Sequence, residues 1–191
     1  MRMGGWVAAV LGIALAIPLA GAGVWWWGFR RPPAAARSPP ARVDAGTPVP
    51  HVGVTLFDPS PDDDTLTPRP QEIPQGLNPA DHGRMVAEAA VERAASPEVR
   101  LLPAGTALRT FFLTAQGEAI LDLTGLSTAG LAAGTTGERL AVHALVSAVA
   151  ANVLSVRSVR LLSDGHALPS MGGHIDVRNP LAADRQTLRA P

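Results

Sequence analysis

The stretch Thr135-Thr136-Gly137-Glu138-Arg139-Leu140-Ala141-Val142-His143-Ala144-Leu145-Val146-Ser147-Ala148-Val149 decides how this sequence is read. Leu140, Ala144, Leu145, Ala148 and Val149 recur at helical spacing and form one apolar stripe, so the segment predicts a helix laid on a core. Thr135 followed by Glu138 has the form of a capping box, in which the two side chains satisfy each other's backbone donors at the helix start. Arg139, His143 and Ser147 fall on another side at i, i+4 and i+8, which places His143 on the surface.

Working outward, residues 156–162 read as a strand, Asp164-Gly165 as a tight turn, and 175–177 as a strand that closes the sheet. Upstream, 108–113 and 119–123 are separated by Ala115-Gln116-Gly117 and make a hairpin, entered through the turn Leu102-Pro103-Ala104-Gly105-Thr106. Asn78-Pro79 supplies a cap and a first-turn proline for a helix over 79–95, with Met85, Val86, Ala89 and Ala90 at helical spacing. Residues 52–57 alternate Val52, Val54 and Leu56 with small or polar residues and end at Asp58-Pro59, as a strand does. Residues 69–73, between Pro68 and Pro74, suit a short edge strand, because proline cannot serve a central ladder. The expected class is α+β, with two helices packed on one face of a mixed β-sheet. The domain spans 51–181, and 182–191 is expected to be a disordered tail.

The N-terminal part is of another kind. No charge occurs from Gly4 to Gly28, long enough for the roughly 20 residues that cross a bilayer core. Residues 1–29 therefore read as a membrane anchor or a signal segment, the second with a break at Pro18 and small residues at Ala20-Gly21-Ala22. Trp25, Trp26 and Trp27 followed by Arg30 and Arg31 favour the anchor, since indoles sit at headgroup level and arginines snorkel there. Arg2 precedes the segment whereas Arg30, Arg31, Arg37 and Arg42 follow it, so the positive-inside count points to a cytoplasmic C-terminal domain. Residues 30–50 are a Pro/Ala-rich linker able to reach about 60 Å at roughly 3.1 Å per residue.

Composition narrows the function further. With 191 residues, 16 basic side chains balanced by 16 acidic ones and no cysteine, a disulfide framework and a cysteine metal site are excluded. Zero net charge and 4% aromatic content leave neither field nor stacking surface for nucleic acid. For a hydrolase the candidates are Ser163 or Ser170 with His166 or His174 and Asp164 or Asp176, but no Gly-x-Ser-x-Gly elbow is present. His174 and Asp176 at i, i+2 would share one side of a strand, a spacing that suits a metal. A turn at Gly172-Gly173 with local hydrogen bonds at His174 and Asp176 explains them better. Asp62-Asp63-Asp64 lacks the glycine and closing glutamate of a calcium loop and reads as solvated. The glycines from 125 to 137 have no following lysine, so they read as a flexible connection that exposes Leu126 and Leu131 to a partner.

Taken together, Gly137-Glu138-Arg139-Leu140-Ala141-Val142-His143-Ala144-Leu145-Val146, the strand at 156–162 with Asp164-Gly165, Gly172-Gly173-His174-Ile175-Asp176 and Pro180-Leu181 resemble the GerMN domain of spore germination and sporulation proteins. Leu102-Pro103-Ala104-Gly105-Thr106 and Val54-Thr55-Leu56-Phe57 fit in the same order, and one copy is present. The resemblance implies a ring-building-motif-like fold and a non-enzymatic module held outside the bacterial cytoplasmic membrane by a helix or a lipid, and with no cysteine for a lipid the anchor here is the single N-terminal span. It implies protein partners in an envelope complex, self-association included, with no catalytic residue, metal or cofactor. The rival reading is a cell-wall-acting enzyme or ligand-binding protein with a site near His174, Asp176 and Arg178.

Overall fold

Asn78 begins the first helix as its sequence predicts. Its side-chain oxygen accepts the N–H groups of Ala80 and Asp81 at 3.0 and 2.9 Å, and Pro79 fills the first turn. This helix, α1, spans Pro79–Ala95. The computed structural model describes residues 50–126, 134–184 and 186–188, and the anchor and most of the linker lie outside them. No described helix is long and apolar enough to cross a membrane. Before α1 come strands β1 (His51–Pro59) and β2 (Leu66–Pro74). After it come β3 (Ala107–Leu113), β4 (Glu118–Thr124), helix α2 (Gly134–Asn152), β5 (Ser158–Ser163) and β6 (His166–Ala167).

The α+β class is as expected, but the strands divide between two sheets. β1 and β2 form an antiparallel pair, and β3-β4-β5-β6 form a mixed sheet whose β4–β5 pair is parallel. A parallel pair needs a crossover, and α2 provides it. The helices pack on each other and reach both sheets, α1 against β3 and α2 against β1. Leu121 and Leu123 of β4, Val159 and Leu161 of β5, Val86 and Val91 of α1, and Val142, Leu145, Val146 and Val149 of α2 share one buried core.

α2 differs from the surface helix its stripe suggests. Every residue from Leu140 to Val149 is buried except His143, which is half-buried, so the helix is enclosed on nearly all sides. The expectation of a surface His143 is therefore corrected: its Nδ1 is buried and makes no hydrogen bond among the described residues. Burial pushes the His143 pKa down, with Asp184 pulling it up and Arg139 adding to the decrease.

Two further expectations change. No strand forms at 175–177; the sheet is closed by β6, and Leu181 alone bridges back to Val159. The tail is not wholly free of structure either: Thr187 is buried, its carbonyl accepts the N–H of Leu66 at 2.8 Å, and Leu188 bridges Leu66 in parallel. Arg139 of α2 donates to Thr187 Oγ1 at 3.2 Å and to the Asp64 carbonyl at 2.8 Å. An unpaired amide at the start of β2 and a guanidinium on α2 thus both find partners in a polar segment.

The outer edge of β2 is guarded by its own sequence. Thr55 bonds away from β2, to Asn152, so the residues that β2 sets opposite Gly53, Thr55 and Phe57 also point outward. Leu66, bonded to Thr187, shows the same parity. The outward positions are then Leu66, Pro68, Pro70, Glu72 and Pro74, and three of these five have no N–H to offer a passing strand.

Close approach governs the turn before α1. A Cβ on Gly76 would lie 2.2 Å from His82 N and 2.5 Å from His82 Cα, both backbone atoms that cannot give way. Gly76→Ala is expected to destabilise the fold by about 1–3 kcal/mol as an overpacked site. Leu145→Ala, which opens a cavity, should cost about 2–5 kcal/mol. Urea denaturation of both variants against the parent checks the two figures.

Candidate functional site

Glu138 lies one turn into α2 with 1% of its surface exposed. Its Oε1 accepts the N–H groups of Met171 and Gly172 at 3.0 and 2.8 Å, and its Oε2 accepts the N–H of His174 at 2.7 Å. His174 Nδ1 is 3.0 Å from the same Oε2, and since a carboxylate only accepts, that nitrogen carries a proton. These bonds run to a loop, whereas a capping box would have turned the carboxylate back to Thr135. Burial taken alone pushes the Glu138 pKa up, but the N–H groups of Gly172, His174 and Ile175 and the His174 ring outweigh it and hold it below the ordinary value.

The other residues singled out by sequence are spread apart. Ser163 and His166 pair across the short turn between β5 and β6, where His166 Nδ1 lies 2.9 Å from the Asp164 carbonyl. Ser170 Oγ accepts the N–H of Gly173 at 2.9 Å. Among the described residues no serine hydroxyl is hydrogen-bonded to a histidine ring, so no nucleophile meets a base. Asp176 is gripped by Arg178, which holds its pKa down to about 2 through side-chain bonds of 2.7 to 3.2 Å and a backbone bond. Asp176 is thus separated from the Glu138–His174 pair in its bonding, although it is close in sequence. Asp64 accepts from Arg139 through its carbonyl and from Thr136 through its carboxylate, which docks the acidic loop on α2. Among the described residues no group of three or more His, Asp or Glu is placed to hold a metal. Leu126, expected to be exposed, packs against the core, and Leu131 lies outside the described residues.

A cleft of about 430 Å³ opens beside β1 and the start of α1, lined by Val52, Asn78, His82, Asn152, Val153 and Leu154. Ligand sites combine apolar walls with a few free, convergent polar groups. Two of the three amides in its lining are already engaged: Asn78 caps α1, and Asn152 exchanges bonds of 2.9 and 2.8 Å with the backbone of Thr55, while Gln75 is the third. Leu154 and Leu77, almost wholly exposed, stand at or beside the rim. The cleft offers apolar contact more than polar chemistry.

The roles of Glu138 and Asn152 were not read from the sequence. The available signal for Glu138 was that no other acid occurs between Asp122 and Asp164, in a stretch otherwise suited to burial. Asn152 carries no comparable mark.

A family model for Germane, described as sporulation and spore germination, matches residues 55–169, more than half of the chain. The chain belongs to the Germane family. This Germane protein carries the GerMN domain that its helix, strand and Gly172-Gly173-His174 motifs resemble. Its structure is similar to the first GerMN domain of the sporulation protein GerM from Bacillus subtilis, at 20% identity, covering 71% of this chain and 98% of that one with a TM-score of 0.48. It is similar to the tandem GerMN domains of the same protein at 18% identity, 70% and 45% coverage and a TM-score of 0.49. A candidate lipoprotein from Clostridium perfringens matches at 20% identity, 72% and 91% coverage and a TM-score of 0.47. No curated protein matches the Germane chain.

Because the folded pKa of Glu138 lies below its ordinary value of 4.5, its contribution to stability is complete above that pH and is lost as pH falls through the depressed value. Glu138→Gln is expected to destabilise at neutral pH by about 1–3 kcal/mol, the cost of poorly satisfied buried donors. The variant should also lose less stability than the parent on acidification below 4.5. Urea midpoints of both proteins at neutral and acid pH measure the difference.

Proposed function

We propose that this Germane protein is a membrane-anchored module of the bacterial envelope, placed outside the cytoplasm, which acts through protein contact and not through catalysis. The observation that carries the reading is that the carboxylates of Glu138 and Asp176 and the amides of Asn78 and Asn152 are spent on the protein's own backbone or on neighbouring side chains. Glu138 holds the 171–174 loop, Asp176 holds Arg178, and Asn78 and Asn152 hold helix and strand. What the surface offers instead is apolar: Leu77, Leu154 and Phe112.

The uncharged run from Gly4 to Gly28, with Trp25, Trp26 and Trp27 ahead of Arg30 and Arg31, supports an anchor, and the proline-rich linker supports a domain working away from the bilayer. The family description supports a role connected with spore formation or germination. Against export stands the arginine count after the segment, which fusions decide. Alkaline phosphatase joined after Pro191 should be active and a cytoplasm-only fluorescent protein at the same point dark; the reverse pattern refutes export.

The competing reading, action on cell-wall material near His174, Asp176 and Arg178, requires groups free to bind. There the carboxylates of Glu138 and Asp176 are already engaged. A protein without a metal requirement should show the same melting temperature with and without EDTA. Stoichiometric metal together with a lowered melting temperature in the chelator favours the rival.

A further inference from the structure

Sheet edges are where one protein most readily joins another, because their backbone groups await partners. In this molecule they are treated unequally. The outer edge of β2 is closed by Pro68, Pro70 and Pro74 and by the tail at Thr187 and Leu188. β1 is met at Thr55 by the Asn152 side chain, which donates and accepts as a neighbouring strand would. β6 is two residues long, and Leu181 occupies the same flank of β5. β3 is the exception: it ends the four-stranded sheet, and among the described residues nothing pairs with its outer side.

The bulge between Leu108 and Thr110 interrupts the first part of β3, so the regular edge runs from Thr110. The Thr114 N–H bonds to the Glu118 carbonyl, and the two-residue period then turns the backbone groups of Thr110 and Phe112 toward β4. Those of Phe111 and Leu113 point outward. Phe111 is half-buried, its ring beneath Gly83 of α1, where a Cβ would come within 2.5 Å of it. Phe112, on the opposite face beside Ile120, is 60% exposed.

The sequence of this edge is Thr110-Phe111-Phe112-Leu113-Thr114, which reads nearly the same in both directions about Phe112. We propose that β3 pairs antiparallel with β3 of a second copy about a two-fold axis at Phe112. Phe111 of each copy then faces Leu113 of the other and exchanges both backbone bonds with it, using the amides that point outward. Phe112 faces its own counterpart as a non-hydrogen-bonded pair, the position where side chains approach most closely, and two exposed rings leave water together. Thr110 faces Thr114, a favourable cross-strand pair with no charge against a like charge. A two-fold contact demands a self-complementary patch, and the palindrome supplies one, which selects a second copy over an unrelated partner. The inference rests on the reading of the domain as a contact module and gives that contact a surface and an occupant.

The chain contains no cysteine, so single cysteines report the register directly. In the full chain, purified in nonionic detergent and mildly oxidised, Phe112→Cys should form a disulfide-linked dimer, while Leu154→Cys, exposed elsewhere, should not. Thr110→Cys alone and Thr114→Cys alone should remain monomeric on a denaturing gel, and the two mixed should cross-link. In sedimentation the parent should show the doubled mass, Phe112→Asp should lose it, and Leu154→Asp should keep it. Three results overturn the proposal: a monomeric parent, Phe112→Cys linking no faster than Leu154→Cys, or Thr110→Cys linking to itself as readily as Phe112→Cys. Purified protein reports the pairing whichever side of the membrane the domain occupies, so failure here is distinct from failure of the export fusions.

Discussion

A buried carboxylate organises the C-terminal half of this domain. Glu138 is enclosed at the start of α2, where an unpartnered charge would be strongly unfavourable. It is tolerated because three backbone amides and one imidazole converge on it, and bonds to a charged acceptor are stronger than neutral ones. The consequence travels outward. With the amides of Met171, Gly172 and His174 turned in to the carboxylate, this segment forms no strand, and the flank of β5 is met only by the short β6 and by the bridge from Leu181 to Val159. Met171 is drawn under the surface in the process and becomes part of the core.

The helix that carries Glu138 holds other parts in place by the same means. Arg139, one residue on, joins the acidic loop to the tail through Asp64 and Thr187. Asn152, at the far end, joins the helix to β1. Between them lies an almost entirely apolar surface buried against α1 and both sheets. Polar anchors at the ends and close packing in the middle fix both the tilt and the register of α2, which packing alone specifies loosely. Helix α1 is seated differently: Gly76 lets the incoming turn touch the backbone at His82, and Gly83 lets the Phe111 ring lie against the helix. Two sheets that share no hydrogen bond among the described residues are thereby joined through the helix pair.

This arrangement bears on function because it uses up polar chemistry. Residues that look reactive in the sequence, Ser163, Ser170, His166, His174, Asp164 and Asp176, belong to turns, to a buried anchor and to a surface ion pair. Among the described residues the outer edge of β3 has no partner strand, while the edge of β2 is blocked.

Sequence by itself determined the local elements. Asn78-Pro79 begins α1 because a short polar side chain and a ring with fixed φ act within one turn, and the hairpin of β3 and β4 follows from alternation around a glycine turn. The motifs around 137–146 and 172–176 also sufficed for the family. Tertiary structure decided the destination of each polar side chain. Glu138 finds partners 33 to 36 residues away, Arg139 one 48 residues away, and Asn152 one 97 residues away. No periodicity announces such bonds, since they depend on which loop arrives when the core closes. For the same reason the burial of His143, the packing of Thr187 and the division of the strands into two sheets were not legible. Hydrophobic spacing marks which face of an element is covered; only the assembled core settles what covers it.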